Sequence, residues 1–110
     1  MEIQSPFTLA KRLENQIVSV LSPLDIFTMP HSERKLITEL RRDMADAKLD
    51  TRDYELSETR DEQLDNAKIA KERLDQVRKL ILAASEINIF SAIDVAQLTA
   101  TIEHIDTQLI

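Results

Sequence analysis

The 110-residue sequence contains no glycine, no cysteine and no tryptophan. Each absence excludes something. Without glycine, backbone positions of positive φ are hard to fill, so tight hairpins and bulges are disfavoured. Glycine-rich phosphate loops go with them, because they need bare backbone beside the anion. ATP, GTP and dinucleotide sites of the common kinds are therefore not expected. Without cysteine there is no disulfide, no thiolate metal site and no cysteine nucleophile. No apolar run approaches the length that spans a bilayer; the longest is Leu80 to Ala84. The start, Met1-Glu2-Ile3-Gln4, lacks the basic and apolar regions of a signal peptide, so a soluble cytoplasmic protein without a membrane partner is expected.

What is present suits one folded helical domain. Apolar residues make up 43% and charged residues 31%, too apolar for a disordered acidic tail. A domain of this size has a thin stability margin, which association would widen. The net charge of −6 argues against whole-molecule attraction to nucleic acid.

Helical periodicity runs through the chain. Ser5-Pro6 has the form of a helix start, and Phe7, Ala10, Leu13, Ile17, Val20 and Leu21 follow on one face. The link from Ser22 to Pro30 carries Leu24, Ile26, Phe27 and Met29, and is apolar enough to pack over one end of a bundle. A second helix, starting at Pro30 to Ser32, turns Leu36, Ile37, Leu40, Met44, Ala47, Thr51 and Tyr54 inward. Arg34, Lys35, Glu39, Arg41, Arg42, Asp43 and Asp46 fall mostly outside. The apolar pattern breaks over residues 57 to 60, where Thr59 and Glu62 have capping-box spacing. The alternative is one continuous helix over 31–88, roughly 85 Å long at 1.5 Å per residue. A third helix is carried by Leu64, Ala67, Leu74, Val77, Leu80, Ile81, Ala84 and Ile87, with Asn88 as a left-handed stop. Ser91 and Asp94 then form the clearest cap, flanked by Phe90 and Val95 at the staple positions. The expected architecture is all-α: a single domain over 1–110, an up-and-down antiparallel four-helix bundle with helices at about 6–21, 31–57, 60–88 and 91–109.

No catalytic or metal constellation emerges, and neither an enzyme nor a cofactor is expected. The only histidines are His31 and His104. Thr28 and Thr101 stand three residues before them, where a di-metal bundle needs glutamate. Asp43, Asp46, Asp50 and Asp53 form an acidic strip, with Arg42, Lys48 and Arg52 near enough in sequence to pair with it. The serines Ser5, Ser32, Ser57 and Ser91 sit at cap positions, and none has the glycine flanks of a nucleophile elbow.

Two surfaces remain. Arg34, Arg41 and Arg42, with Lys68, Lys71 and Arg78, would merge into a basic strip if the second and third helices pack antiparallel, giving candidate nucleic-acid contacts. Each group is interleaved with acids, as a salt-laced solvent face would be. The last helix carries apolar residues on more than one side, and from Ile89 to Ile110 its only charges are acidic. Ile89, Phe90, Ile93, Val95, Leu98, Ile102, Ile105, Leu109 and Ile110 are its candidate interface residues, toward a second copy or another protein.

The order of signals resembles a known family. An amphipathic helix leads into Met29-Pro30-His31-Ser32-Glu33-Arg34 and then Leu36-Ile37-x-x-Leu40-Arg41-Arg42. Leu74-Asp75-Gln76-Val77-Arg78-Lys79-Leu80-Ile81 follows, then Ile102-x-x-Ile105-x-x-x-Leu109. This order is similar to that of the four-helix proteins encoded in bacterial ribosomal-RNA intervening sequences and their relatives, the accessory variability determinants of diversity-generating retroelements. The resemblance implies a homo-oligomeric adaptor, a pentameric barrel in that family, acting in one branch with a reverse transcriptase and nucleic acid. The chain departs from the family in having Met29-Pro30 where a Phe-Pro pair is usual, and in its acidic balance.

Overall fold

The structure, a computed structural model, describes residues 4–110; most of the Met1–Gln4 start read above lies outside that range. Four helices follow one another: α1 Pro6–Leu21, α2 His31–Glu55, α3 Arg60–Glu86 and α4 Ala92–Gln108, with a single 3-10 turn at Ile26–Thr28 in the first link. No strand occurs among the described residues. Each helix packs on its neighbours in chain order, and α1 closes the ring against α4. The result is the expected up-and-down four-helix bundle.

Local chemistry accounts for most of the boundaries. Ser5 accepts from the Thr8 N–H at 3.2 Å, and Pro6 begins α1, where its missing donor costs nothing. Thr59 caps α3 by accepting from the Glu62 N–H at 3.1 Å, while the Glu62 carboxylate reaches back to the Glu58 N–H at the same distance. That reciprocal closure separates α2 from α3 and rules out the continuous helix. Asn66 locks the turn, donating to the Ser57 hydroxyl at 2.9 Å and to the Asp53 carbonyl at 3.3 Å. Asn88 takes φ 65°, the left-handed cap a glycine-free chain needs. The Ile89 N–H then returns to the Ala84 carbonyl and the Asn88 N–H to that of Ser85, which closes a Schellman motif. Ser91 and Asp94 form a full capping box.

One core runs the length of the bundle, with Leu13, Leu40, Leu74, Val77, Ile102 and Ile105 at its most enclosed positions. A leucine taken from water to full burial contributes about 2 kcal/mol. Small residues let the long helices approach: Ala47 on α2 and Ala67 and Ala70 on α3 are fully enclosed. α2 and α3 share the most extensive contact, and α3 and α4 the least. In the link before α2, Leu24, Ile26 and Met29 pack on the core as expected, but Phe27 does not: it is 86% exposed. The 3-10 turn, set by Asp25 accepting from the Phe27 N–H, aims that ring outward while its neighbours turn in. Two α3 positions assigned to the apolar stripe, Leu64 and Ile87, are likewise exposed, near the ends of the helix where no other helix covers them.

Candidate interaction face on the second helix

The candidate interface residues of α4 divide sharply. Phe90, Leu98, Ile102, Ile105 and Leu109 are buried in the protein's own core, and Ile89 and Val95 pack against it half-buried. Only Ile93, at 70%, and Ile110 are exposed. The seam that was expected to face a partner is occupied by α1 and α3, because a four-helix core needs the apolar stripe of every member. As a partner surface, the α4 expectation narrows to Ile93 and Ile110.

The basic candidates also separate. Arg34 and Arg42 line an open groove, whereas Arg41 lines a smaller cleft on the α1 side with Glu14, Ile17, Val18 and Met44. Arg78 faces α4, where it pairs with Asp106 and with Asp75 of its own helix, each at 3.5 Å. Lys71 bears on the same Asp106. Lys68 is exposed on α3. α2 and α3 are indeed antiparallel neighbours, but the seam between them is acidic, so the two groups do not merge into one strip.

That seam is built on one residue the sequence reading did not single out. Arg73 of α3 reaches Asp43, Asp46 and Asp50 of α2 at 3.8, 3.7 and 3.3 Å. Asp43, expected outside, is buried at 7% exposure beneath it. The nearby cations go mostly elsewhere: Lys48 pairs with Glu14 at 2.9 Å, and only Arg42 approaches the strip, 3.7 Å from Asp43. Residues equidistant from the 56–59 turn meet across an antiparallel hairpin, which places Arg73 beside Asp43; its reach along α2 to Asp46 and Asp50 is seen only in the structure. Burial raises the Asp50 carboxyl above its ordinary value despite the opposing Arg73. Burial likewise raises Asp106 against the pull of Arg78.

The groove beside Arg34 has a volume of about 590 Å3 and opens where the 3-10 turn meets the head of α2. Ile26 and Phe27 form its apolar side; His31, Arg34, Lys35, Thr38 and Arg42 form the other, with Glu39 as its single acid. The groove continues into a longer feature. His31, Arg34, Thr38, Arg42, Ala45, Leu49, Arg52 and Leu56 recur three or four residues apart along the whole outward side of α2. All are exposed except Ala45, which is half-buried. These eight positions carry no acid, although exposed Asp53 adjoins Leu49 and Leu56 on the same side. Its signal lay in the sequence as a second three- and four-residue spacing, opposite the core face.

His31 stands at the groove, and His104 is exposed on α4. Among the described residues, no group of histidine and carboxylate side chains is arranged to hold a metal ion. Among the same residues, no helix is long and apolar enough to cross a membrane. Compared with protein-family models, curated proteins and solved structures, the chain matches none.

Proposed function

We propose that this protein is a non-enzymatic helical adaptor that assembles with copies of itself and presents helix faces to other proteins. The observation that carries this reading is the load of large apolar side chains left outside an ordered bundle. Phe27, Leu49, Leu56, Leu64, Ile69, Leu82, Ile93 and Ile110 are all exposed, although the core has places for every helix. Single exposed leucines need no explanation, but a set this large on a 110-residue chain suits a protein that works through contacts. The polar groups support the same view. The two carboxyls raised by burial, Asp50 and Asp106, are each engaged by an arginine in a seam between helices.

The resemblance to intervening-sequence proteins and accessory variability determinants supports a self-assembling four-helix protomer. The branch that acts with a reverse transcriptase and nucleic acid is less well served, since acidic seams divide the basic groups. The second reading is a small regulator that binds one protein partner without self-association, and the mostly buried seam of α4 leaves it Ile93 and Ile110 on that helix. Static light scattering at micromolar concentration separates the two. Assembly gives a mass that is a multiple of 12.6 kDa. A clean monomer across the concentration range overturns self-assembly and leaves the regulator.

A further inference from the structure

The outward side of α2 combines three observations. First, it is an apolar and mainly basic surface headed by the groove under Phe27, with Glu39 in the groove and exposed Asp53 beside Leu49 and Leu56 as the acids near it. Second, most of its cations lack internal partners, Arg42 alone lying 3.7 Å from Asp43. In a chain of net charge −6, Arg34, Lys35 and Arg52 make no ion pair among the described residues, while Arg42, Lys48, Arg73, Arg78 and Lys79 do. Third, its residues keep the alternating three- and four-residue spacing of a helix–helix seam over the full 25 residues of α2, about 37 Å.

We infer that this face docks an acidic amphipathic helix of another protein, a partner chemistry that deepens the adaptor reading and rests on it. The apolar side of such a helix would cover Leu49 and Leu56 and place a bulky side chain against Phe27, and its carboxylates would meet Arg34, Arg42 and Arg52. A helix laid along a helix uses the whole stripe, whereas an extended peptide would engage only the groove. Charge decides between a protein and a nucleic acid. Arg34, Arg42 and Arg52 stand about 12 and 15 Å apart along the helix, with Thr38, Ala45 and Leu49 between them. A phosphate backbone wants cations in a continuous track and gains nothing from the leucines, and the net negative field of the chain opposes a long polyanion. Complementary charge steers the encounter, and the apolar contact holds it.

The test uses a fluorescein-labelled peptide of about three heptads, leucine at the seam positions and glutamate on the flanks, beside a version with every glutamate replaced by lysine. Binding to the full-length chain is read by fluorescence anisotropy. The expected result is affinity at least about tenfold higher for the acidic peptide, weakening as salt rises. Arg34→Glu with Arg42→Glu should lower that affinity by about tenfold or more, and Phe27→Ala by several-fold. All three side chains are exposed, so the variants should melt like the parent. Should the charge reversal unfold the chain, Arg34→Gln with Arg42→Gln gives the same reading with a smaller effect. Equal binding of the two peptides, or no binding of either, overturns the proposal. So does tighter binding of oligothymidylate lost in the same variants, which would make the face a nucleic-acid site. Dissociation of a native oligomer by Leu49→Asp would overturn it too, because a second copy would then cover the stripe. A monomer that still binds the acidic peptide removes self-assembly alone and supports the docking face.

Discussion

Arg73 and Arg78 stand five residues apart on α3 and face opposite neighbours, and the protein treats them differently. Arg73 turns to α2 and spreads one guanidinium over three carboxylates, the nearest at 3.3 Å. Arg78 turns to α4 and meets Asp106 at 3.5 Å, leaving its own Nε and the Asp106 Oδ1 buried without a protein partner. The two seams differ in the same sense. α2 and α3 lie close along their length over small residues, while α3 and α4 touch least of all adjacent pairs. An ion pair contributes where the backbone approach lets several groups share it; where the helices stand apart, desolvation takes back much of the Coulomb gain. The α2–α3 hairpin is thus the framework of the bundle, and α4 is held mainly by Leu98, Ile102, Ile105 and Leu109.

The most direct way to break this contrast is Arg73→Met, which leaves Asp43, Asp46 and Asp50 facing one another. A loss of about 2 kcal/mol is expected by urea unfolding at neutral pH, between the values for exposed and buried pairs. Removing the other pair should act in the opposite direction. Arg78→Met together with Asp106→Leu replaces a poorly satisfied pair by packing, and a gain of about 1 kcal/mol is expected, with slower amide exchange across α4. If both replacements destabilise equally, the two seams are alike and the contrast is gone.

A third measurement is the pH dependence of stability. Burial raises both Asp50 and Asp106 above 3.8 in the folded protein. The folded state therefore takes up these protons at higher pH than the unfolded state. Their contribution is a stability gain as pH falls from the raised values toward 3.8, and a loss as pH rises back through that window. Asp106→Asn should flatten this part of the urea-derived profile and leave neutral-pH stability no lower than the parent's. The smallest effect is expected at the joint between the seams. Asn88 already tolerates its φ of 65°, so Asn88→Gly should raise stability by only a few tenths of a kcal/mol, read as a small rise in Tm.

The fold was legible because its punctuation is local. Ser5, Thr59, Asn88 and Ser91 each act within four residues of themselves, and all four cap where the sequence places them. The interaction face was only partly legible. Arg34 and Arg42 were marked as surface cations, but Phe27 was assigned to packing, and its exposure follows from a 3-10 turn that no apolar pattern encodes. The α4 seam was read correctly as apolar, and its nearest partner was the bundle itself.

By itself, the sequence determined an all-α chain and most of its helix starts, since caps, periodicity and the lack of glycine all operate over one or two turns of backbone. The break between α2 and α3, which the sequence left open against one helix over 31–88, was decided by the structure. Only the tertiary structure decided which charges are neutralised and which are left over. That choice depends on the distance between helices far apart in sequence, through which Arg73 gathers three acids while Arg34, Lys35 and Arg52 keep theirs for solvent or a partner.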